Sequence, residues 1–265
     1  MRLPTLSPTK IVTFLACPYK YNWLYRDSRG KWFVRSKNYY SFGTSLHQVL
    51  EKFYNKEDLT VTNVESAVEA LDRDWIDAGY SSAAEMSEAL GEGKLILEHY
   101  INNELQRKKE SRTLFVEKQV SKTYSGFRLL GRIDRIEEYE DGTIEIIDYK
   151  SGRQSVTPEE VQKDIAMGCY QLLVNHLFPD RKILATIIAL RSGETATASM
   201  TSTQLVDFES NLLDLSRIIL GEDFSQLLPK PNPLCADCDF LKLCSQNPEF
   251  DLADLRNIKQ LRNRE

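Results

Sequence analysis

The stretch from Gly131 to Gly152 constrains this chain more than any other. Asp141-Gly142 is a hairpin-turn dipeptide, and the apolar residues around it (Leu130, Ile133 and Ile136, then Ile144, Ile146 and Ile147) predict two strands joined by that turn. Two antiparallel neighbours follow. Asp134 falls toward the start of the first strand and Asp148 toward the end of the second, so the hairpin brings both carboxylates to one end of the ladder. Lys150 lies two residues beyond Asp148, and the period of a strand points both side chains to one face. Hard oxygen donors beside an ammonium suit Mg²⁺ or Mn²⁺ and phosphodiester hydrolysis: the cation acidifies a water, and the lysine orients it or offsets developing charge. Taken alone, Asp-x-Lys is also what a pair of solvated strand-end charges looks like.

The surroundings of that tripeptide carry more. A strand ending Ile147-Asp148-Tyr149-Lys150-Ser151-Gly152, preceded by Gly131-Arg132-Ile133-Asp134, resembles the signature of the RecB-type branch of the PD-(D/E)XK nuclease superfamily. Ile133 stands where the superfamily's name puts a proline. The resemblance implies a metal site made by Asp134, Asp148 and the backbone carbonyl of Tyr149, with Lys150 beside the reacting group.

Upstream, positions 42, 46, 49, 50 and 53 are apolar at helical spacing and place His47 close to the stripe. A lone histidine there is ordinarily a satisfied core residue. Gly43-x₃-His47 resembles the family's helix that gives an imidazole to the metal, which implies His47 as a ligand and Glu51, one turn on, as outer support at most. On a helix predicted over 158–177, Tyr170 matches the family's substrate-side tyrosine. The family's glutamine four residues earlier is Ala166 here, so Gln171 or Gln162 would have to stand in.

Residues 55–110 hold thirteen acidic against six basic residues and read as a helical insertion over the core, with breaks at Gly79, Gly91 and Gly93 and with His99 as a structural residue. Leu114–Tyr124 alternates as a strand, which with the hairpin makes a three-stranded meander; Glu117 falls where a carboxylate can approach the site, but its spacing gives no reason to assign it. Lys182–Leu190 predicts a buried central strand, Thr195–Met200 an edge strand, Gln204–Leu220 a helix, and 251–265 a charged, uninformative tail.

Cys235-x₂-Cys238-x₅-Cys244 offers three thiolates in one short loop, which points to a metal and leaves Zn²⁺ and a [4Fe–4S] cluster both open. Cys169 has no such neighbours and reads as a small buried residue. Leu6-Ser7-Pro8 opens a helix that ends near Cys17-Pro18, and this N-terminal phrase also resembles RecB-type nucleases. There the N-terminal cysteine, here Cys17, joins the distant trio around a [4Fe–4S] cluster. The resemblance thus favours the cluster over Zn²⁺, as in AddB-type and small CRISPR-associated nucleases, and makes 229–245 with Cys17 a clasp between the N- and C-terminal regions.

The net charge of −5 is unevenly spread: residues 1–37 carry eight Lys or Arg against Asp27, or +7, leaving −12 for the rest. Tyr19 to Arg26 interleaves aromatic and basic residues. That suits either a stacking surface for single-stranded nucleic acid or a set of core anchors. No apolar run is long enough to span a bilayer and no secretory signal is visible, so an intracellular, cytoplasmic protein without membrane partners is expected.

The expectation is one α/β domain over 1–265: a restriction-endonuclease-like mixed sheet flanked by helices, with the helical insertion and the iron–sulfur clasp. By resemblance it hydrolyses DNA, with single-stranded ends as substrate, in repair, recombination or CRISPR-related processing. No helicase motif is visible, so unwinding calls for a helicase or CRISPR adaptation partner. The rival reading is an iron–sulfur DNA-binding scaffold subunit of such a complex with vestigial cleavage; the intact His47, Asp134, Asp148 and Lys150 speak against it.

Overall fold

The computed structural model describes residues 3–55, 57–108, 110–152, 155–251 and 255. In chain order the elements are β1 (Thr5–Leu6), α1 (Pro8–Ala16), α2 (Pro18–Tyr25), α3 (Asn38–Tyr54), α4 (Val64–Asp74), α5 (Ala83–Gln106), β2 (Ser111–Tyr124), β3 (Phe127–Tyr139) and β4 (Ile144–Lys150). They continue with α6 (Pro158–Lys163), α7 (Ile165–Leu177), β5 (Ile183–Ala189), β6 (Glu194–Ala198), α8 (Ser202–Gly221) and α9 (Leu241–Cys244). The chain forms two compact units: Met1–Pro8 with Ser36–Leu212, and Thr9–Arg35 with Leu213–Glu265.

The first unit is built on the hairpin. Gly142 takes φ +86°, a backbone region closed to most side chains, and Asp141 Oδ1 accepts from Thr143 N at 2.8 Å. Arg135 then pairs with Ile147, so Asp134 and Asp148 lie at the next step of the ladder. β2 runs antiparallel to β3 and β1 parallel to it, while β4 is followed in the sheet by β5, parallel, and β6, antiparallel. The result is the expected mixed sheet flanked by helices. A parallel β4–β5 pair requires a crossover, and α6 and α7 supply it.

That crossover departs from the single helix expected over 158–177. Asp164 leaves the helical region (φ −69°, ψ 120°) and its carboxylate caps the next helix through Met167 N at 3.0 Å. Gly91 and Gly93, expected as breaks, lie inside α5. A Cβ at Gly93 would stand 3.3 Å from Leu71 and 3.5 Å from both Leu46 and Trp75, so the glycine serves close helix packing. Helices α3, α4 and α5 share one core with Ile147, Tyr149, Ile188 and Leu190, and the sheet end that carries the acidic groups is fixed by it.

In the second unit Tyr21 and Trp23 are buried, stacked on Phe224 and Phe240 respectively. Of the two readings of this aromatic stretch, the core one therefore holds for both. Only Tyr25, at 36% exposure, keeps an open ring. The expected C-terminal tail lies, apart from Asp251 and Leu255, outside the described residues. No described helix is long and apolar enough to cross a membrane.

Candidate active site

Helix α3 presents His47 to the end of the hairpin, with Gly43 beside the chain leaving β4. A Cβ at Gly43 would meet Ser151 Oγ at 2.7 Å and Ser151 Cβ at 3.7 Å, so the glycine leaves room for the Ser151 hydroxyl in its present rotamer. His47 Nε2 then sits 3.0 Å from the Tyr149 carbonyl, and Nδ1 3.5 Å from Asp134 Oδ2. The same Asp134 oxygen accepts from Tyr149 N at 2.8 Å. Imidazole, carboxylate and carbonyl, three of the ligands expected from the sequence, thus converge.

Asp148 and Lys150 form the second half. The ammonium lies 2.7 Å from Asp148 Oδ2, a close ion pair. Burial pushes the Asp148 carboxyl up to about 6; Lys150 pulls it down and Asp134 pushes it further up. Lys150 loses some basicity to desolvation, but the Asp148 carboxylate more than offsets that and holds it protonated. His47 is likewise opposed by burial and raised overall by its bond to Asp134, with Asp148 and Glu117 adding to the effect.

Glu117 is the residue the sequence left unassigned. His47, Glu117 and Asp134 each offer a ligating atom within 4.8 Å of the others, the one such group of three or more His, Cys, Asp or Glu among the described residues. Its backbone is left-handed (φ +48°), costly for a non-glycine residue, and it lies between the pairs Val116–Arg135 and Lys118–Ile133, level with Asp134. Burial and then Asp134 raise its carboxyl, while Arg132 Nε holds it at 2.5 Å. No spacing rule reads such a twist from sequence. Glu51 lines the same cleft.

Tyr170 reaches the site through Gly131. A Cβ there would stand 2.8 Å from Leu173 Cδ1 and 3.0 Å from Tyr170 Cε1, so α7 lies on bare backbone and the tyrosine ring lies over the strand. Burial first, then Asp148 and Asp134, push its hydroxyl far up, so it remains a proton donor. Gly131→Ala is expected to destabilise the fold by about 1–3 kcal/mol through this overpacking, read as a lower denaturant midpoint at unchanged slope. Gln171 is committed elsewhere: its Oε1 accepts from Met200 N at 2.9 Å. Gln162 is exposed, and His99 bonds Asn103 at 3.0 Å.

Beneath the site is a buried cation that the sequence reading missed. Arg135 is fully buried, with its guanidinium 3.8 Å from the Tyr54 ring centroid, 5.7 Å from that of Tyr149, and bonded to Tyr100 at 3.3 Å. Tyr100 in turn donates to the Tyr149 hydroxyl at 3.3 Å. The Tyr149 side chain is thereby anchored in the core while its carbonyl faces His47. Its strand also carries Arg128, Arg132, Asp134, Glu137 and Glu138, so nothing in the sequence singled this arginine out.

The four thiols of Cys17, Cys235, Cys238 and Cys244 line one cavity in the second unit. Cys17 Sγ accepts from Lys20 N and Cys235 Sγ from Asn232 N, both at 3.4 Å. Burial pushes the Cys244 thiol up to about 12, with Cys238, Cys17 and Cys235 each adding to the rise. Among the described residues no three thiols lie mutually within 4.8 Å. Cys169, fully buried on α7, stands apart.

The sequence profile of the PD-(D/E)XK nuclease superfamily, compared with this chain, matches residues 5–245. The chain belongs to that superfamily. Membership accounts for the mixed sheet flanked by helices and implies a metal-dependent nuclease acting on DNA. Thirty-one chains of solved structures match. One described as "Crystal structure of SSO0001" is 16% identical, covers 92% of this chain and 87% of its own, and superposes with a TM-score of 0.38. No curated protein matches.

Proposed function

We propose that the chain is a RecB-type PD-(D/E)XK exonuclease that hydrolyses DNA from single-stranded ends. The observation that carries this reading is the meeting of His47, Asp134 and the Tyr149 carbonyl beside the buried Asp148 and its Lys150 partner. Two carboxylates, an imidazole and a carbonyl fit a hard divalent cation, Mg²⁺ or Mn²⁺. His47, Asp134, Asp148 and the Tyr149 carbonyl, with Glu117 in reach, would hold that cation, which would supply Lewis acidity there. Lys150, kept protonated by Asp148, places a positive charge where the scissile phosphate becomes more negative. Tyr170 donates its phenolic proton to a phosphate oxygen. The exonuclease mode and the single-stranded preference rest on the RecB resemblance, as does a helicase or CRISPR adaptation partner.

The four cysteines are assigned to a [4Fe–4S] cluster joining residues 9–35 to residues 213–265. Buried Cys235 and Cys244 and half-buried Cys17 and Cys238 crowd one cavity, their proximity raises the Cys238 and Cys244 thiols, and backbone N–H groups aimed at two of the sulfurs fit cluster ligands. A single Zn²⁺ with bonds of about 2.3 Å sets sulfurs roughly 3.8 Å apart. The wider spread here suits several irons better.

Degradation of 5′- and 3′-labelled single strands with Mn²⁺, absent in EDTA, tests the assignment and gives the polarity; intact label under all conditions would refute it. Protonation provides a second check. Asp148 near 6 and a raised His47 both compete with the cation, so Mn²⁺ affinity should fall as the pH drops, first as His47 takes up its proton above its ordinary value and then by about a further tenfold per pH unit below about 6 as Asp148 does. Titration calorimetry from pH 5 to 8 measures this, and a flat profile contradicts the ligand set.

A further inference from the structure

We propose that Tyr39 and Tyr40 form a base-stacking platform that seats an unpaired nucleobase next to the scissile phosphate. The proposal rests on the nuclease reading of this cleft and specifies how it takes its substrate. Tyr40, Gly43, His47 and Glu51 recur at intervals of three and four residues, so one face of α3 lines a cleft of about 410 Å³ together with Glu117 and Asp134. The opposite face buries Phe42, Leu46, Val49, Leu50 and Tyr54. Tyr39 and Tyr40 are instead 56% and 66% exposed, with ring centroids 4.5 Å apart and planes tilted by 53°. Two adjacent large rings at the lip of a catalytic cleft are more than the scattered exposed apolar residue of ordinary surfaces.

Charge argues for bases and against phosphates as the held group. The cleft carries Glu51, Glu117 and Asp134 against Arg132, which is already bound to Glu117. Fixed positive charge therefore contributes little affinity, and the neutral ring faces are what a strand can grip. Tyr39 also walls a neighbouring cavity of about 230 Å³ whose lining includes Phe42, Tyr80, Glu85 and Arg191, the last paired with Glu92. Aromatic and acidic walls accept an uncharged base and repel a phosphate. Reach is adequate: seven residues of helix set Tyr40 about 10 Å along the axis from His47. A base paired within a duplex has no free face for such rings, so the platform selects single strands and frayed ends.

The test is a cycle between protein and strand, read by fluorescence anisotropy with Ca²⁺ replacing Mn²⁺ to keep the DNA uncut. Labelled single strands carry one abasic position, moved stepwise from the end. Wild type should lose about ten- to hundredfold in affinity at one or two positions, and Tyr39→Ala/Tyr40→Ala should lose the same on intact DNA. At those positions the two losses should not multiply, and Tyr40→Trp should restore binding. Should the double variant fail to fold, the wild-type abasic scan alone decides: no sensitive position overturns the platform. Losses that multiply at every position overturn it as well. Coupling without Mn²⁺-dependent cleavage would uphold the platform and remove the nuclease reading, whereas cleavage without coupling sinks the platform alone.

Discussion

Asp148→Asn is expected to lower Mn²⁺-dependent DNA cleavage by about 10³-fold or more and, in the same protein, to raise metal-free stability. The first effect follows from removing an anionic oxygen donor from the catalytic cation, a stabilisation of several kcal/mol. The second follows from burial. Asp148 is 6% exposed and its carboxyl titrates near 6, against about 3.9 in an unfolded chain, so above pH 6 the native state holds an ionised group it would keep protonated. Asparagine has nearly the same shape and no charge, which should relieve on the order of 2 kcal/mol at pH 8. The sign is definite. Between pH 4 and 6 the native state binds the extra proton, so wild-type stability falls as the pH rises through that window, and the advantage of asparagine should vanish below about pH 4. Denaturant midpoints at pH 4 and pH 8, with and without Mn²⁺, measure both halves. Mn²⁺ should stabilise wild type strongly at pH 8 and the variant little. A variant that still cleaves, or one destabilised at pH 8, would remove Asp148 from the role given to it.

What the sequence revealed of this site and what it hid have separate physical causes. The hairpin, the level of Asp134 with Asp148, and the Lys150 contact were legible because a tight turn fixes register and a strand fixes side-chain direction. His47 was not readable from periodicity, since a histidine beside an apolar stripe is ordinarily core; only the Gly43 spacing singled it out, and Gly43 lies against Ser151 in the structure. Glu117 depends on a left-handed backbone angle, and Asp164 breaks a helix whose apolar pattern runs on through the break. Both are local departures that composition cannot signal. Tyr21 and Trp23 could belong to a surface or a core until Phe224 and Phe240, some two hundred residues away in sequence, were seen stacked on them.

Cys244→Ser should unfold the unit made of Thr9–Arg35 and Leu213–Glu265 and abolish the visible absorption of anaerobically purified protein. The core around these thiols is small: Cys235, Cys244, Phe250 and Leu255 are buried there, with Tyr19 and Leu241 packed against them. The rest of the unit's apolar packing, with Ile11, Phe14, Tyr21, Trp23, Ile219 and Phe240 buried, lies outside this cluster. Structural metal–thiolate sites supply about 10 kcal/mol or more, so loss of the proposed cofactor is expected to outweigh what this unit's apolar packing retains. Cys169→Ala is the control. That thiol is raised to about 12 by burial first and then by Asp164, lies outside the cysteine-lined cavity, and its loss should leave absorption and iron content unchanged. Limited proteolysis followed by mass spectrometry locates the damage: Cys244→Ser should open cleavage sites within 9–35 and 213–251 and spare 36–212. Colourless wild-type protein with one equivalent of zinc would replace the cluster by a single ion while keeping the staple. Wild type with neither metal, folded and protease-resistant, would show that the four thiols hold nothing and that the second unit stands on its aromatic packing alone.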